Sequence, residues 1–145
     1  MTASPKRPSI HATCLVIDGK GLLIRGRSGA GKTSLALALI GAASRDGRFA
    51  RLVADDRVHL EVLEGDLIGT VPSTIAGLVE RRGEGVYPID HVGRATIRLV
   101  IDLVDGDVSP RSGSAQIEGV SLPQLDIARS ATPEASLVLA ALDAA

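Results

Sequence analysis

One string of eight residues constrains this chain more than anything else in it. Gly26, Arg27, Ser28, Gly29, Ala30, Gly31, Lys32 and Thr33 fit G-x-x-x-x-G-K-[ST] at every specified position. The flanks agree with the string. Gly21 to Arg25 reads as a short buried strand, and Ser34 to Ile40 as a helix rich in alanine and leucine. Between them the glycines allow the backbone to close around an anion, because a Cβ there would block the approach. Successive loop amides and the positive end of the following helix then face bound phosphate. In this pattern Lys32 reaches the β- and γ-phosphates and the Thr33 hydroxyl ligates Mg²⁺. All eight residues are therefore candidate nucleotide-binding positions, and the expected ligand is a nucleoside triphosphate.

The rest of the composition narrows the class. At 145 residues the chain is expected to form one domain, with 45% hydrophobic residues to close a core. The only aromatics are Phe49 and Tyr87, so that core is aliphatic. The same shortage argues against nucleic acid, since single strands are held by stacking on aromatic rings. A net charge of −1 provides no basic field for a polyanion. The lone Cys14 cannot form an internal disulfide, which suits a reducing compartment. Met1 to Ser9 is polar and proline-bearing, expected as a flexible start and not as a signal peptide. No apolar run approaches the ~20 residues of a membrane span. The expectation is a soluble, cytoplasmic protein with no membrane insertion.

Along the chain, His11 to Ile17 reads as a first strand, with a turn at Asp18 to Gly21 that makes Leu22 to Arg25 antiparallel to it. A helix runs from Thr33 to about Ala43. Phe49 to Ala54 is a strand that delivers Asp55 and Asp56 at its carboxyl end. Val58 to Leu63 alternates as a half-exposed strand does, and turns at Glu64 to Asp66 into Leu67 to Thr70. Pro72 to Leu78 is expected as a short helix, Arg94 to Leu103 as a further strand, and Asp105 to Gly113 as a polar loop. Thr132, Pro133 and Glu134 supply a cap, a proline and an acid for a closing helix that runs to Leu142. The fold class is thus α/β: a single P-loop domain whose mixed sheet contains hairpins.

Two further segments carry chemistry. An acid at the end of the strand after a phosphate-loop helix orients Mg²⁺ or accepts a proton from the nucleophile. Adjacent side chains point apart, so of Asp55 and Asp56 one is expected to face the metal and one the acceptor. Val79 to Val86 is a charged cluster broken by glycines, a poor helix and a poor strand, and reads as a loop that could bring an acid and a guanidinium to a phosphate. His11 sits on the first strand, on the face that carries Thr13 and Leu15. His11, His59 and His91 have no metal-ligand spacing, and Cys14 reads as a small core residue.

Together these pieces resemble the catalytic domain of HPr kinase/phosphorylase. The marks are His11 ahead of the hairpin and Gly26, the paired aspartates in Leu52 to Val58, and Glu-x-Arg-Gly-x-Gly at Glu80 to Gly85. The resemblance covers His11 to about Leu103 and implies the short form, consisting of the catalytic domain alone. It implies a sheet similar to the nucleotide-binding part of phosphoenolpyruvate carboxykinase. It further implies an ATP- and Mg²⁺-dependent serine kinase whose partner is the phosphocarrier protein HPr of the phosphotransferase system, and which also runs the reverse phosphorolysis of phosphoserine. On that resemblance Lys32 neutralises the transferring phosphate, and Thr33 and Glu80 hold Mg²⁺. Asp55 or Asp56 acts as general base with His11 supporting it, and Arg82 contacts phosphate. Ser34 stands where many members have an acid, and Arg111 and Arg129 are candidates for a downstream basic loop. Relatives are often hexameric, so a homo-oligomer is among the expectations. The competing classes are a small-molecule P-loop kinase and a non-catalytic, ATP-binding regulatory module.

Overall fold

The computed structural model describes residues 8–81, 83–106, 110–129 and 135–145. The first strand, β1 (Ser9–Ile17), turns at Asp18 and Gly19 into β2 (Lys20–Arg25), antiparallel as expected, with Ile17 opposite Lys20 and Ala12 opposite Arg25. The glycine loop leads into α1 (Lys32–Arg45). That helix ends where Gly47 takes φ 76°, and the Arg48 and Gly47 amides donate back to the carbonyls of Ala43 and Ser44. β3 (Ala50–Ala54), β4 (Arg57–Leu63) and β5 (Asp66–Thr70) follow, β4 and β5 as the expected hairpin.

Three stretches differ from their sequence reading. Pro72 to Leu78 is not a helix beyond one 3₁₀ turn at Ser73–Ile75, because Gly77 at φ 73° reverses the chain and Leu78 already begins a strand. The charged stretch that reads as a loop is a hairpin, β6 (Leu78–Arg81) and β7 (Gly85–Pro88), with Val79 buried beneath it. The glycines that argue against a strand instead serve the turn, where Gly83 and Gly85 lie at positive φ. After β8 (Arg94–Val104), the expected polar loop gives way at Arg111 to a further hairpin, β9 (Arg111–Ile117) and β10 (Val120–Ala128). Pro123 obscures β10 in the sequence. It is tolerated because pairing with β8 begins only at Gln124. The closing helix α2 spans Ala135–Ala144, and its expected cap at Thr132, Pro133 and Glu134 lies outside the described residues.

The result is a mixed sheet. β3, β1, β2, β8, β10 and β9 lie side by side in that order, with β2–β8 and β8–β10 parallel and the other pairs antiparallel. β4 and β5 form a second layer, joined to the first because β1 and β8 are long enough to pair in both. Gly21 sits where β8 crosses between layers: a Cβ there would lie 2.5 Å from the Thr96 carbonyl oxygen, so only glycine lets β2 pass. One aliphatic core (Leu15, Ile24, Leu39, Ile101, Ile127, Leu142) fills the space between sheet and helices. Another (Cys14, Leu23, Val58, Leu67, Val100) fills the space between the layers. Cys14 is a core residue as read, and burial pushes its thiol up to about 12. Among the described residues no helix is long and apolar enough to cross a membrane.

Candidate functional site

The topology gathers the candidate residues. β2, β8 and β10 are parallel to one another, and β3 shares their direction because both it and β2 run antiparallel to β1. Their carboxyl ends therefore lie on one edge, where open α/β sheets bind ligands. That edge carries the glycine loop after Arg25, the aspartates after Ala54, Asp105 after Val104 and Arg129 after Ala128. The start of β1, with His11 and Thr13, reaches the same edge because β1 runs the other way.

The loop itself has the features of an anion cradle. At Gly26 a Cβ would meet Ala30 Cβ and Leu103 Cβ at 3.2 Å, and Gly29 and Gly31 take φ 80° and 98°. The Ala30 amide closes the turn onto the Arg27 carbonyl at 3.0 Å. α1 starts with no side-chain cap and no acid in its first turn, so its leading amides are left for something outside the helix. Lys32, only 9% exposed, donates from Nζ to the carbonyls of Gly26 (2.9 Å) and Arg27 (3.0 Å), which leaves one of its three N–H groups for a phosphate oxygen. Below the loop, Arg25 makes a paired contact with Asp102 on β8 at 2.7 and 2.8 Å. This hydrogen bonding raises the guanidinium pKa against the opposing effect of burial.

The two aspartates have different surroundings. Asp55 is buried and its carboxylate is a shared acceptor. Oδ1 takes the hydroxyls of Thr33 (2.7 Å) and Thr13 (3.1 Å), and Oδ2 takes the backbone amide of Glu80 (3.2 Å). Asp56 follows at φ 71°, a left-handed conformation that costs about 1 kcal/mol or more outside glycine. The Arg57 amide bonds the Asp55 carbonyl across it at 2.8 Å, and the Asp56 carbonyl accepts from the Ala12 amide. The twist turns Asp56 out to solvent, with its Oδ1 3.6 Å from Nδ1 of His11. Thus β1 serves both carboxylates, Thr13 facing Asp55 and His11 facing Asp56.

The β6–β7 hairpin contributes to the same cleft. About 490 Å³ in volume, it is lined by the loop, Thr33, Ser34, Asp55 and Asp56 together with Glu80 and Glu84. Among the described residues no group of three or more His, Cys, Asp or Glu side chains is gathered to hold a metal ion. A hydroxyl with nearby carboxylates is a sparse oxygen set of the kind Mg²⁺ accepts, since it keeps water and phosphate oxygens as its other ligands. The residues present fit Mg²⁺ delivered with a nucleotide.

Comparison with known proteins decides the family. Residues 3–139 match the family described as the HPr Serine kinase C-terminal domain. The chain belongs to that family. A relative named HPr kinase/phosphorylase from Lactobacillus acidophilus is 34% identical over 139 residues, covering 84% of this chain and 41% of its own length. One of the same name from Clostridium tetani is 41% identical over 80 residues, covering 55% of this chain and 24% of its own length. The chain thus spans about two fifths or less of these relatives. Among solved structures, that titled Hpr(Ser) kinase/phosphatase from Coxiella burnetii superposes with TM-score 0.75 at 28% identity, over 95% of each chain.

Within this family fold, most of the candidate residues meet. Lys32, Thr33, Asp55, Asp56 and Glu80 line one cleft, and His11 stands beside Asp56. Arg82 lies outside the described residues. Arg111 opens the edge strand β9 in register with Asp126 and does not line the cleft. Arg129 comes to the site edge, where its Nη1 and Nη2 of Arg27 both lie 3.2 Å from Asp105 Oδ1. Sequence reasoning passed over Asp105 and Thr13. Asp105 gives no signal until strand order is known, whereas Thr13 is a visible exception, the one polar residue in the run Ala12 to Ile17.

Proposed function

We propose that this chain is an ATP- and Mg²⁺-dependent serine kinase whose acceptor is the phosphocarrier protein HPr, acting in the cytoplasm. The observation that carries the reading is the division of labour between adjacent aspartates: one buried against the loop's Thr33, the other exposed beside His11 at the cleft's mouth. Family membership supports the acceptor, and the relatives carry HPr in their names.

Bound Mg²⁺ would neutralise charge on the β- and γ-phosphates. The loop amides and the free N–H of Lys32 hold those phosphates and stabilise the equatorial oxygens as the bond to the leaving diphosphate stretches. Thr33 and Glu80 would hold the metal. Asp55 orients both, one through its hydroxyl and the other through its backbone. Asp56 takes the proton of the acceptor serine as its oxygen attacks phosphorus, a role worth about 10²–10⁴ in rate. His11 steadies that carboxylate, its Nδ1 lying 3.6 Å from Oδ1. The reverse direction uses the same groups: a phosphate oxygen attacks phosphoserine, the serine oxygen leaves and recovers its proton from Asp56, and pyrophosphate forms. Incubation with γ-labelled ATP, Mg²⁺ and HPr should label a serine of HPr. Nucleotide binding with no transfer to HPr would favour the regulatory module, and transfer to a metabolite the small-molecule kinase.

A further inference from the structure

We propose that Thr13 is a positioning residue for the metal site, acting through Asp55. The inference rests on reading the cleft as a Mg²⁺-nucleotide site, and it adds a residue that lies outside both the loop and the paired aspartates.

Thr13 is fully buried on β1. A buried hydroxyl must find a partner, and the nearest choice for threonine is usually its own backbone. Here it instead donates to Asp55, 42 residues away in sequence, at 3.1 Å. That oxygen, Oδ1, is the one that accepts from Thr33 at 2.7 Å. For Thr33 to offer a lone pair to a metal, its proton must point away from the metal, and Asp55 Oδ1 is the acceptor that receives it. Thr13 therefore fixes the atom that fixes the metal ligand. The other carboxylate oxygen, by accepting the Glu80 amide, places the second candidate ligand. With two donors on Oδ1 and one on Oδ2, the carboxylate is held against rotation. Without Thr13 it is held at Oδ1 by Thr33 alone, the group it is meant to orient. Removing a group that orients a metal's ligand typically costs about 10–100-fold in metal affinity or activity.

Thr13→Val retains the shape of the side chain and removes only the hydroxyl, and Thr13→Ser retains the hydroxyl. Nucleotide affinity is measured as a function of Mg²⁺ for the wild type and both variants, using a non-hydrolysable ATP analogue. Exchange of the Glu80 amide proton is followed by NMR without nucleotide. The expected result is a Mg²⁺ requirement raised about tenfold in T13V, with affinity for the metal-free nucleotide unchanged. Exchange at Glu80 should be faster in T13V, and T13S should lie within about twofold of wild type in both readings. A T13V protein with wild-type Mg²⁺ dependence and unchanged Glu80 exchange would overturn the proposal, even if its melting temperature fell. Should the wild type bind the analogue with no dependence on Mg²⁺, the reading of the cleft fails and this role for Thr13 falls with it. The two failures are therefore distinguishable.

Discussion

Around Asp55 buried and part-buried polar groups converge on one carboxylate, whereas around α2 the polar groups lie near solvent and the apolar side chains are what is buried. In the first region Thr13, Thr33 and the Glu80 amide share a single acceptor. In the second, Val138 and Leu142 are fully buried against the sheet. The polar contacts that surround them are exposed or part-buried. Lys20 Nζ donates to the carbonyls of Leu142, Asp143 and Ala145, and Arg48 bridges Asp18 and Asp143 at 2.6 Å each. Such exposed pairs contribute little, because water competes for both partners. Hydrogen bonds at the site therefore define geometry, and burial at the C-terminal helix supplies stability. The two regions should respond to mutation along different axes.

The largest effect should come at the site. Asp56→Asn is expected to lower phosphoryl transfer to HPr by about 10²–10⁴. Its urea midpoint should stay near wild type, since the Asp56 side chain is exposed and, among the described residues, is paired with His11 alone at 3.6 Å, while the backbone contact with Ala12 is kept. A variant with full transfer would remove Asp56 as the base and break the contrast on its functional side. Next in size, Leu142→Ala should cost about 2–5 kcal/mol of unfolding free energy for a cavity against α1 and the sheet. Under conditions where the variant remains folded, its affinity for nucleotide should match wild type. Weaker binding by folded protein would mean that α2 bears on the site after all.

The smallest effect sharpens the claim about exposed charges. Hydrogen bonding from Arg48 holds the Asp143 carboxyl below its ordinary 3.8, with attraction to Arg48 and Lys20 adding to it. A lowered folded value means that the pair's contribution is fully present above pH 3.8 and is lost as the pH falls through the lowered value. Arg48→Ala should thus cause only a slight loss of melting temperature at neutral pH. The difference from wild type should shrink in high salt and vanish in strong acid. A large, salt-independent loss would show that the bridge does structural work that its exposure argues against.

How legible this was in the sequence varied along the chain. The hairpin, the glycine loop, α1, β3 to β5 and β8 could be read because their apolar periodicity and turn residues agree locally. The β6–β7 hairpin could not, since Glu80 pairs with Val86 and Arg81 with Gly85 around a glycine turn, and among the described residues of the hairpin only Val79 is buried. β9, with the polar and small residues Ser112, Gly113 and Ser114, is a strand only because β10 offers it an edge. At the candidate site, Lys32, Thr33, Asp55, Asp56 and Glu80 stand out in the sequence by residue type and spacing, and the fold brings them to one cleft. Their separate roles do not stand out: which aspartate turns inward depends on the left-handed backbone at Asp56 and on what β1 presents beside it.

The amino-acid string by itself settled that a strand, a glycine-rich loop and a helix succeed one another here, because the apolar runs and the glycines between them act over a few residues of backbone. Only the tertiary structure decided that Asp55 is the buried hub and Asp56 the exposed group. That choice is made by donors 42 residues before and 25 residues after Asp55, which meet only once the sheet has closed.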